Sequence, residues 1–467
     1  MKVKGIHHIS NLVGHPQNNV DYNTSVLGLR MIKKAVNFDD ANTYHFYYGT
    51  KNAEVGSIIT AFPYVGNLKE GIKGGGQVTS VYYIIPPNTI DFWKERLNEF
   101  KIEYTEITRF NKKHLIFLDD AGIQNELVES SRGKTNEYEY NGITSDRAIK
   151  GFYGALLQST NPEGTKDFFI NILGMKLKDE NTRFYRFEME SEIGNYVDVG
   201  KREYKRGRLS VGTVHHIALS VDSYEDIGKF KEKVESLGIK VSDIRNRDFF
   251  SAIYFKEPGG IIIELSTKEP TFNPNEIDEL GKELYLPKHF EHLRDELEET
   301  LIPIFVKPTK ELKFYKYKSK AEYDAYHYHQ GLLKRINEIA KIAKKRDLTE
   351  DEIKERKELR NLYTQNITDD EENVIRKIHM SVLTECSKLV RNLGISDILG
   401  FPEVYFEVSA DELGDQDYIL DKIQIEKSKQ FIDNKLILLD ALYYFISEQK
   451  SFKSGDSVHL FGTRSFE

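Results

Sequence analysis

Hydrophobic and polar positions follow one pattern four times in the N-terminal part of the chain. Each unit opens with a short β-run such as VHHIALSV and continues with an amphipathic helical stretch such as SYEDIGKFKEKVESLGI. It closes with short β-rich runs such as SAIYFKEPGGIIIELS, which a Pro-Gly-Gly turn interrupts. The pattern predicts four βαβββ modules that start near residues 4, 78, 150 and 213.

Two internal repeats support this division. KGIHHISNLVGHPQNNVDYNTSVLGL, from Lys4, matches KGFYGALLQSTNPEGTKDFFINILGM, from Lys150, without a gap. A second repeat matches the segment from Arg109 to Leu127 with the segment from Arg247 to Leu265. We therefore predict the α+β class, with the modules forming two open, barrel-like sheets before a mostly helical C-terminal domain.

The predicted domain boundaries follow from the modules and from a change in composition after them. Modules one and two occupy residues 1–135, and modules three and four occupy 148–270. Residues 271–306 are a Pro/Asn-rich linker followed by a helix. Residues 307–467 are rich in Lys, Glu and Tyr and read as a mainly helical region without a role that we could assign.

Composition narrows the functional classes. The net charge of −8 gives no electrostatic reason to expect a nucleic acid or an anionic membrane as partner. The chain has a single cysteine and no apolar run of membrane-spanning length. We therefore expect a cytoplasmic protein, and the apolar stripe of the C-terminal helices suggests packing onto the modules or a homo-oligomer.

Histidine pairs and one carboxylate predict a metal site. His7-His8 lies on the opening strand of module one, His215-His216 on the opening strand of module four, and Glu264 on the last strand of module four. Neighbouring strand residues point to opposite faces, so one histidine of each pair can face a shared site. Two imidazoles and one carboxylate leave coordination positions open, as in non-haem Fe(II) oxygenases. Two buried structural histidine pairs are the alternative.

GIHHIS, HPQNNVDYNTSVLGLRMIKKAVNFDDANTYHFYYG, TVHHIAL and PGGIIIEL resemble the vicinal-oxygen-chelate superfamily, which includes glyoxalases, bleomycin-resistance proteins and extradiol dioxygenases. Within it, residues 1–305 look like bacterial ring-cleaving dioxygenases of the quinone-resistance and chlorohydroquinone groups. The resemblance implies an Fe(II)-dependent enzyme, with Mn(II) as the alternative metal. It would cleave hydroquinones or catechols with O₂, in quinone detoxification or aromatic degradation.

The resemblance also implies a site. The metal ligands would be His8, His216 and Glu264. Five further residues would lie beside the metal as catalytic residues, namely Tyr254, Arg247, His7, His215 and Ser10. Strand alternation places Ser10 on the face of His8 but His7 and His215 on the opposite face, which leaves the roles of these two open. A salt bridge from Arg247 to Asp243 or Asp248 is the structural alternative for that arginine.

Arg109 and Glu126 match Arg247 and Glu264 in the second repeat. No histidine pair opens modules two and three, so we interpret the repeated residues as a structural remnant rather than a second metal site.

Two other functions remain open. A glyoxalase-like isomerase or thiol transferase would use Zn or Ni and a glutamate-rich ligand set. Module one carries Thr60 where module four carries Glu264, which leaves three ligands and favours the oxygenase. A non-catalytic small-molecule binding protein is the third reading, and the complete ligand set argues against it.

Overall fold

The computed structural model describes residues 1–66, 69–269, 279–343, 346 and 348–365. Met1–His327 form one compact unit, and a second unit begins at Tyr328. The helices predicted in NVIRKIHMSVLTECSKLVRNLG and NKLILLDALYYFISEQ and the strand predicted in FPEVYFEVS lie outside the described residues.

All four predicted βαβββ modules are present. Module one comprises β1 (Ile6–Val13), α1 (Pro16–Asp21) with a π-helical turn (Tyr22–Val26), β2 (Arg30–Asn37), β3 (Asp40–Gly49) and β4 (Ile58–Pro63). Module two comprises β5 (Gln77–Ile85), α2 (Ile90–Glu99), β6 (Tyr104–Arg109), β7 (Lys112–Leu118) and β8 (Gln124–Glu129). Module three comprises β9 (Phe152–Gln158), α3 (Pro162–Asn171), β10 (Lys176–Glu180), β11 (Phe184–Glu188) and β12 (Tyr196–Gly200). Module four comprises β13 (Thr213–Val221), α4 (Tyr224–Glu235), β14 (Arg245–Asn246), β15 (Ser251–Lys256) and β16 (Ile262–Thr267).

Modules pair across the repeat rather than along the chain. In the described residues, the first sheet has the strand order β14-β15-β16-β13-β1-β4-β3-β2-β17, where β17 is Leu284–Tyr285. The second sheet has the order β10-β11-β12-β9-β5-β8-β7-β6. Modules one and four thus share the first sheet through the antiparallel pair β1–β13, and modules two and three share the second through β5–β9. The predicted fold class is confirmed.

Apolar side chains of all four modules join in a contiguous hydrophobic core. Ile9, Trp93, Phe169 and Phe230, one from each module, are fully buried in it. Strand β1 is buried along its whole length because it lies between β13 and β4. Polar side chains on β1 must therefore find partners inside the protein, and this strand carries His7, His8 and Ser10.

The segment after module four departs from the predicted single helix. HFEHLRDELEETLIPIF forms a 3₁₀ turn (Lys288–Leu293) and a short helix, α5 (Arg294–Thr300). The helix ends shortly before Ile302-Pro303, because a proline disfavours helical backbone at the residue before it.

Residues 302–317, which we call the strap, run without a helix or strand over module one. The Gln17 side chain accepts from the Phe305 amide at 2.8 Å and donates to the Phe305 carbonyl at 2.9 Å. Asn18 pairs with the Tyr315 amide and carbonyl in the same way, at 2.9 and 3.3 Å. These amide side chains replace the backbone partners that a helix would supply, so the helical character predicted from residue 307 does not hold for the strap.

Two helices of the C-terminal region are described, α6 (Lys320–Ala343) and α7 (Glu350–Gln365). Helix α7 begins with a capping box: the Glu352 amide donates to Thr349 Oγ1 at 3.3 Å, and the Thr349 amide donates to the Glu352 carboxylate at 2.9 Å. None of the helices in the described ranges is long and apolar enough to cross a membrane.

Candidate metal centre and active site

Three strands bring the candidate ligands together at the centre of the first sheet. In the β1–β13 register His8 pairs with Ala218, and in the β13–β16 register Ala218 pairs with Glu264. His216 precedes Ala218 by one strand repeat and is the register partner of Ser10. Side chains of one row share a face of the sheet, so the repeat of modules one and four places both imidazoles and the carboxylate at one point.

The three donor atoms converge. Nε2 of His216 lies 2.8 Å and Nε2 of His8 lies 3.4 Å from Oε2 of Glu264. The two Nε2 atoms are 3.4 Å apart. Among the described residues, these three form the group of side chains that could hold a metal ion, and all three are buried. Bonds of about 2.0–2.2 Å, typical of imidazole and carboxylate ligands, place neighbouring ligand atoms about 3 Å apart.

His7 fixes the tautomer of His8. The Nε2 atom of His7 is 3.1 Å from the backbone carbonyl of Glu269, which can only accept, so His7 carries its proton on Nε2. The Nδ1 atom of His7 therefore accepts from Nδ1 of His8, 2.9 Å away. Burial lowers the pKa of His7 to about 3, which keeps this imidazole neutral. His8 is left with a free Nε2 lone pair that points into the site.

His215 makes the same kind of contact with His216. Their Nδ1 atoms are 2.7 Å apart, and burial lowers the pKa of His215 to about 3. Burial also lowers the pKa of His216, so its imidazole is neutral as well. The first histidine of each pair thus contacts the second through Nδ1 and leaves Nε2 for the site. Strand alternation alone did not reveal this, because adjacent imidazoles meet edge-on across the backbone.

Glu264 is an anion without a proton donor on its inner oxygen. Oε1 accepts from Ser266 Oγ at 2.7 Å, but Oε2 is buried and accepts no hydrogen bond. An unpaired buried carboxylate oxygen is costly unless a cation binds it. The donor set therefore fits a divalent metal held by two neutral imidazoles and one carboxylate.

Ser10 lies beside the ligands, and two residues that the sequence analysis did not select extend from it. Ser10 Oγ is 2.9 Å from His216 Nε2 and accepts from Thr60 Oγ1 at 2.7 Å. Thr60 Oγ1 is in turn 3.1 Å from Nε2 of His45. Thr60, the position aligned with Glu264, is thus engaged by hydroxyl and imidazole contacts. The available clue to His45 was its place in TYHFYY on β3, where alternate residues share a face.

Tyr254 and Arg247 form a pair at the side of the site. Arg247 Nε donates to the Tyr254 hydroxyl at 3.2 Å, and the guanidinium lies 5.3 Å from the centre of the Tyr254 ring. Burial and the charge of Glu264 raise the pKa of Tyr254 well above its ordinary value, so the phenol keeps its proton. The ion pair of Arg247 is with Asp39, at 4.0 Å, rather than with Asp243 or Asp248, which the structural alternative named.

A cavity of about 390 Å³ opens in front of the three candidate ligands. Its wall includes Phe62, Phe250 and Leu12 as well as the polar residues Arg245 and Arg247. His45 stacks on Phe62 with ring centres 4.0 Å apart and planes inclined by 20°. A small cavity with aromatic walls and convergent polar groups is suited to a flat aromatic molecule.

The corresponding region of the second sheet is filled by side chains. Glu126 accepts from Arg109 at 2.8 Å and contacts Nδ1 of His114 at 2.6 Å, and all three are buried. Arg109 also contacts the Tyr82 hydroxyl. Arg109 and Glu126 thus form a buried ion pair, as their interpretation as a structural remnant requires.

Comparisons with known proteins define the class. Residues 154–265 match the model of the glyoxalase/bleomycin resistance protein/dioxygenase superfamily. A crystal structure of a dioxygenase from Bacillus subtilis covers 66% of this chain and 99% of its own length, with a TM-score of 0.64 and 39% identity. The fold of the chain is therefore that of this superfamily.

Relatives place the chain more closely. MhqO of Bacillus subtilis, named a ring-cleaving dioxygenase, is 40% identical over 307 residues, which are 66% of this chain and 98% of MhqO. A chlorohydroquinone/hydroquinone 1,2-dioxygenase of Sphingobium indicum is 29% identical over 310 residues, which are 64% of this chain and 96% of that enzyme. The chain belongs to the ring-cleaving dioxygenases of the superfamily and is an enzyme that acts on an aromatic substrate with O₂.

The C-terminal region has separate similarities. Residues 331–382 match the model of a bacterial protein family of unknown function, and residues 359–467 match a model of the LlaJI restriction endonuclease. A stretch of 37 residues is 51% identical to a UPF0291 protein of Lactobacillus johnsonii and spans 45% of that protein. The two family matches begin after the strap, so they do not overlap the modules that carry the candidate site.

Proposed function

We propose that the chain is an Fe(II)-dependent, extradiol-type dioxygenase that opens the ring of hydroquinones or catechols with O₂, using His8, His216 and Glu264 as metal ligands. The observation that carries the proposal is the convergence of Nε2 of His8, Nε2 of His216 and Oε2 of Glu264 on one point at the wall of a cavity. Two histidines and one carboxylate are the ligand set that non-haem Fe(II) oxygenases use.

The relatives support the substrate class. The Sphingobium indicum enzyme is named for chlorohydroquinone and hydroquinone, and MhqO is named for ring cleavage. Neutral imidazoles and an ionised carboxylate are the forms that bind a metal, and the contacts of His8 and His216 through Nδ1 leave their Nε2 atoms for it. Thr60, engaged by Ser10 and His45, leaves three ligands rather than the glutamate-rich set of a glyoxalase.

Iron bound by this set would supply the reaction with O₂ and would lower the pKa of a coordinated hydroxyl, so that a hydroquinone binds as its anion near neutral pH. The protein's own groups orient the substrate and move protons. Tyr254 keeps its phenolic proton and can donate it to an oxygen that becomes anionic during ring cleavage. Arg247 holds the Tyr254 hydroxyl and places a positive charge beside it. His7 and His215 hold the ligand imidazoles in the tautomer that keeps Nε2 free.

The test is anaerobic loading with Fe(II), followed by measurement of O₂ uptake with a small panel of hydroquinones and catechols. We expect about one iron per chain, O₂ consumption and an absorbing ring-opened product. Glu264→Gln should lose iron and activity. Its matched control is Glu126→Gln in the second sheet, which has no metal site in this proposal. Isomerisation of a hemithioacetal without O₂ uptake would instead support a glyoxalase-type reaction and would contradict the proposal.

A further inference from the structure

A chain of buried and part-buried hydrogen bonds runs from the candidate metal centre along the wall of the cavity. It runs from Tyr47 OH to His45 Nδ1 (3.0 Å), from His45 Nε2 to Thr60 Oγ1 (3.1 Å), and from Thr60 Oγ1 to Ser10 Oγ (2.7 Å). Ser10 Oγ then contacts His216 Nε2 at 2.9 Å. The established class of the protein assigns no role to Thr60, His45 or Tyr47.

Strand register builds this chain. Ser10 on β1 is the register partner of Thr60 on β4, and Thr60 is the register partner of Tyr47 on β3. His45 and Tyr47 are two residues apart on β3 and therefore point to the same face. Stacking of the His45 ring on Phe62 fixes its plane. The chain is thus a product of three adjacent strands rather than of a flexible loop.

The donor direction of every bond follows from the ligand tautomer. For His216 to offer an Nε2 lone pair to a metal, its single proton must be on Nδ1, where it is donated to His215. Ser10 is then the donor toward Nε2, so its own oxygen must accept from Thr60. The Thr60 hydroxyl donates its hydrogen bond to Ser10, so its oxygen accepts from His45 Nε2–H.

The same reasoning continues to Tyr47. A neutral His45 that donates from Nε2 has only a lone pair on Nδ1, so Tyr47 must donate to it. Burial lowers the pKa of His45 well below its ordinary value and raises that of Tyr47, so the imidazole is neutral and the phenol is protonated. Every hydrogen of the chain therefore points toward the metal centre.

We propose that Thr60, His45 and Tyr47 are positioning residues that hold Ser10 as an obligatory hydrogen-bond donor to an anionic oxygen bound beside the metal. This inference rests on the proposed function, because it needs a metal at His8, His216 and Glu264. Once Nε2 of His216 binds the metal, it no longer accepts from Ser10. The Ser10 hydrogen would then be available to an anionic oxygen of a ligand in the cavity, which Ser10 lines. Hydrogen bonds to an ionised acceptor are roughly twice as strong as neutral ones.

The test uses the full chain loaded with Zn(II), which has no redox chemistry, and 4-nitrocatechol, whose anion absorbs visible light. Thr60→Val keeps the shape of the side chain but breaks the chain of hydrogen bonds, whereas Thr60→Ser preserves the hydroxyl. We expect Thr60→Val to bind the coloured anion about tenfold more weakly than the wild type. The pH at which the bound probe ionises should also rise, and Thr60→Ser should restore both values. Thr79→Val in the second sheet is the matched control.

A second variant keeps the inference testable if Thr60→Val fails to fold. Tyr47→Phe frees His45 to move its proton to Nδ1, which ¹⁵N NMR of the imidazole reports without any measurement of activity. We expect the wild type to carry the proton on Nε2 and Tyr47→Phe to lose that preference and to bind the anion more weakly. Equal zinc content and equal anion affinity in wild type, Thr60→Val and Tyr47→Phe would overturn the inference.

The two proposals can fail separately. If Thr60→Val weakens anion binding but the Fe(II)-loaded protein consumes no O₂ with hydroquinones, the positioning role stands and the proposed reaction is wrong. If hydroquinones are cleaved with O₂ uptake at the same kcat, KM and pH profile in wild type and Thr60→Val, the proposed reaction stands and the positioning role is wrong.

Discussion

The two sheets place a buried glutamate at equivalent positions and satisfy it in different ways. In the first sheet Glu264 is the register partner of Tyr254, and its Oε2 atom has no hydrogen-bond donor. In the second sheet Glu126 is the register partner of Ile116, and Arg109 and His114 occupy its Oε2 atom. A buried carboxylate needs a positive partner, so an arginine supplies in one sheet what a metal would supply in the other.

The matched arginines show how that difference arises. Arg109 donates to Glu126 of its own sheet and also contacts the Tyr82 hydroxyl, while Ser80 donates to the same carboxylate. Arg247 turns to the Tyr254 hydroxyl instead. The residue opposite the glutamate is Tyr254 in the first sheet and Ile116 in the second, so the first sheet offers its arginine a hydroxyl at a position where the second offers none. Identical residues in a sequence repeat therefore do not imply identical chemistry.

The largest expected effect tests this difference directly. Glu264→Gln removes the anionic ligand, so iron affinity should fall by more than the roughly 10–100-fold that outer contacts of a metal site are worth. Turnover should fall with it. Glu126→Gln should keep full iron content, which elemental analysis measures. Equal iron loss in both variants would mean that iron binding depends on both glutamates. The proposed difference between the two sheets would then be wrong.

Tyr254→Phe tests the tyrosine that lies opposite the buried glutamate in the first sheet and has no counterpart in the second. Loss of a proton donor typically costs about 10²–10⁴-fold in rate, so kcat should fall by at least about 100-fold with iron content unchanged. Steady-state kinetics on protein of known iron content measure this. A fall in iron content that accounts for the lost turnover would instead show that Tyr254 acts by holding the ligand set.

Arg109→Met tests the filled sheet. Removing one partner of a buried ion pair usually costs about 3–5 kcal/mol, so unfolding by denaturant should occur at clearly lower concentration. The double variant Arg109→Met/Glu126→Gln should recover part of the loss, since no charge is left unpaired. Additive losses in the double variant would mean that Arg109 and Glu126 are not coupled.

Much of the fold and of the candidate site follows from sequence because both depend on repeats. The match between the segments that begin at Lys4 and Lys150 predicts the modules, and strand periodicity places Ser10 with His8. The pairing of modules one and four follows from ligands that lie on both. These inferences need only the period of a strand and the position of a turn.

Other features depend on contacts between distant segments, which periodicity does not encode. Strand alternation places His7 and His215 on the opposite face from the ligands, yet their Nδ1 atoms contact the ligand imidazoles. The ion pair of Arg247 is with Asp39, in the turn between β2 and β3 of module one, rather than with an aspartate of its own module. His45 became a candidate only when strand register brought Thr60 between it and Ser10.

The strap contacts Gln17, Asn18 and Tyr44 of module one, and Asn141, between modules two and three, also donates to its Thr309 carbonyl. The strap also covers His15, whose ring meets Tyr317 edge-on at 4.4 Å. Burial lowers the pKa of His15 to about 4. In the unfolded chain this pKa is about 6.5, so stability from neutral His15 is lost as pH falls from about 6.5 toward 4.

The smallest expected effect comes from two truncations that differ in residues 309–327, which are the second half of the strap and the first residues of α6. A chain that ends at His327 keeps these residues, and a chain that ends at Pro308 loses Tyr315 and Tyr317. Both should bind iron and turn over substrate, because all three proposed ligands precede residue 265. The shorter chain should titrate His15 near its ordinary pKa, which NMR of the imidazole protons measures, and should lose the acid sensitivity that His15 contributes. The longer chain should retain the lowered pKa. If the shorter chain kept its iron but lost all turnover while the longer chain remained active, the strap would belong to the active site, and the first sheet's chemistry would depend on more than its own strands.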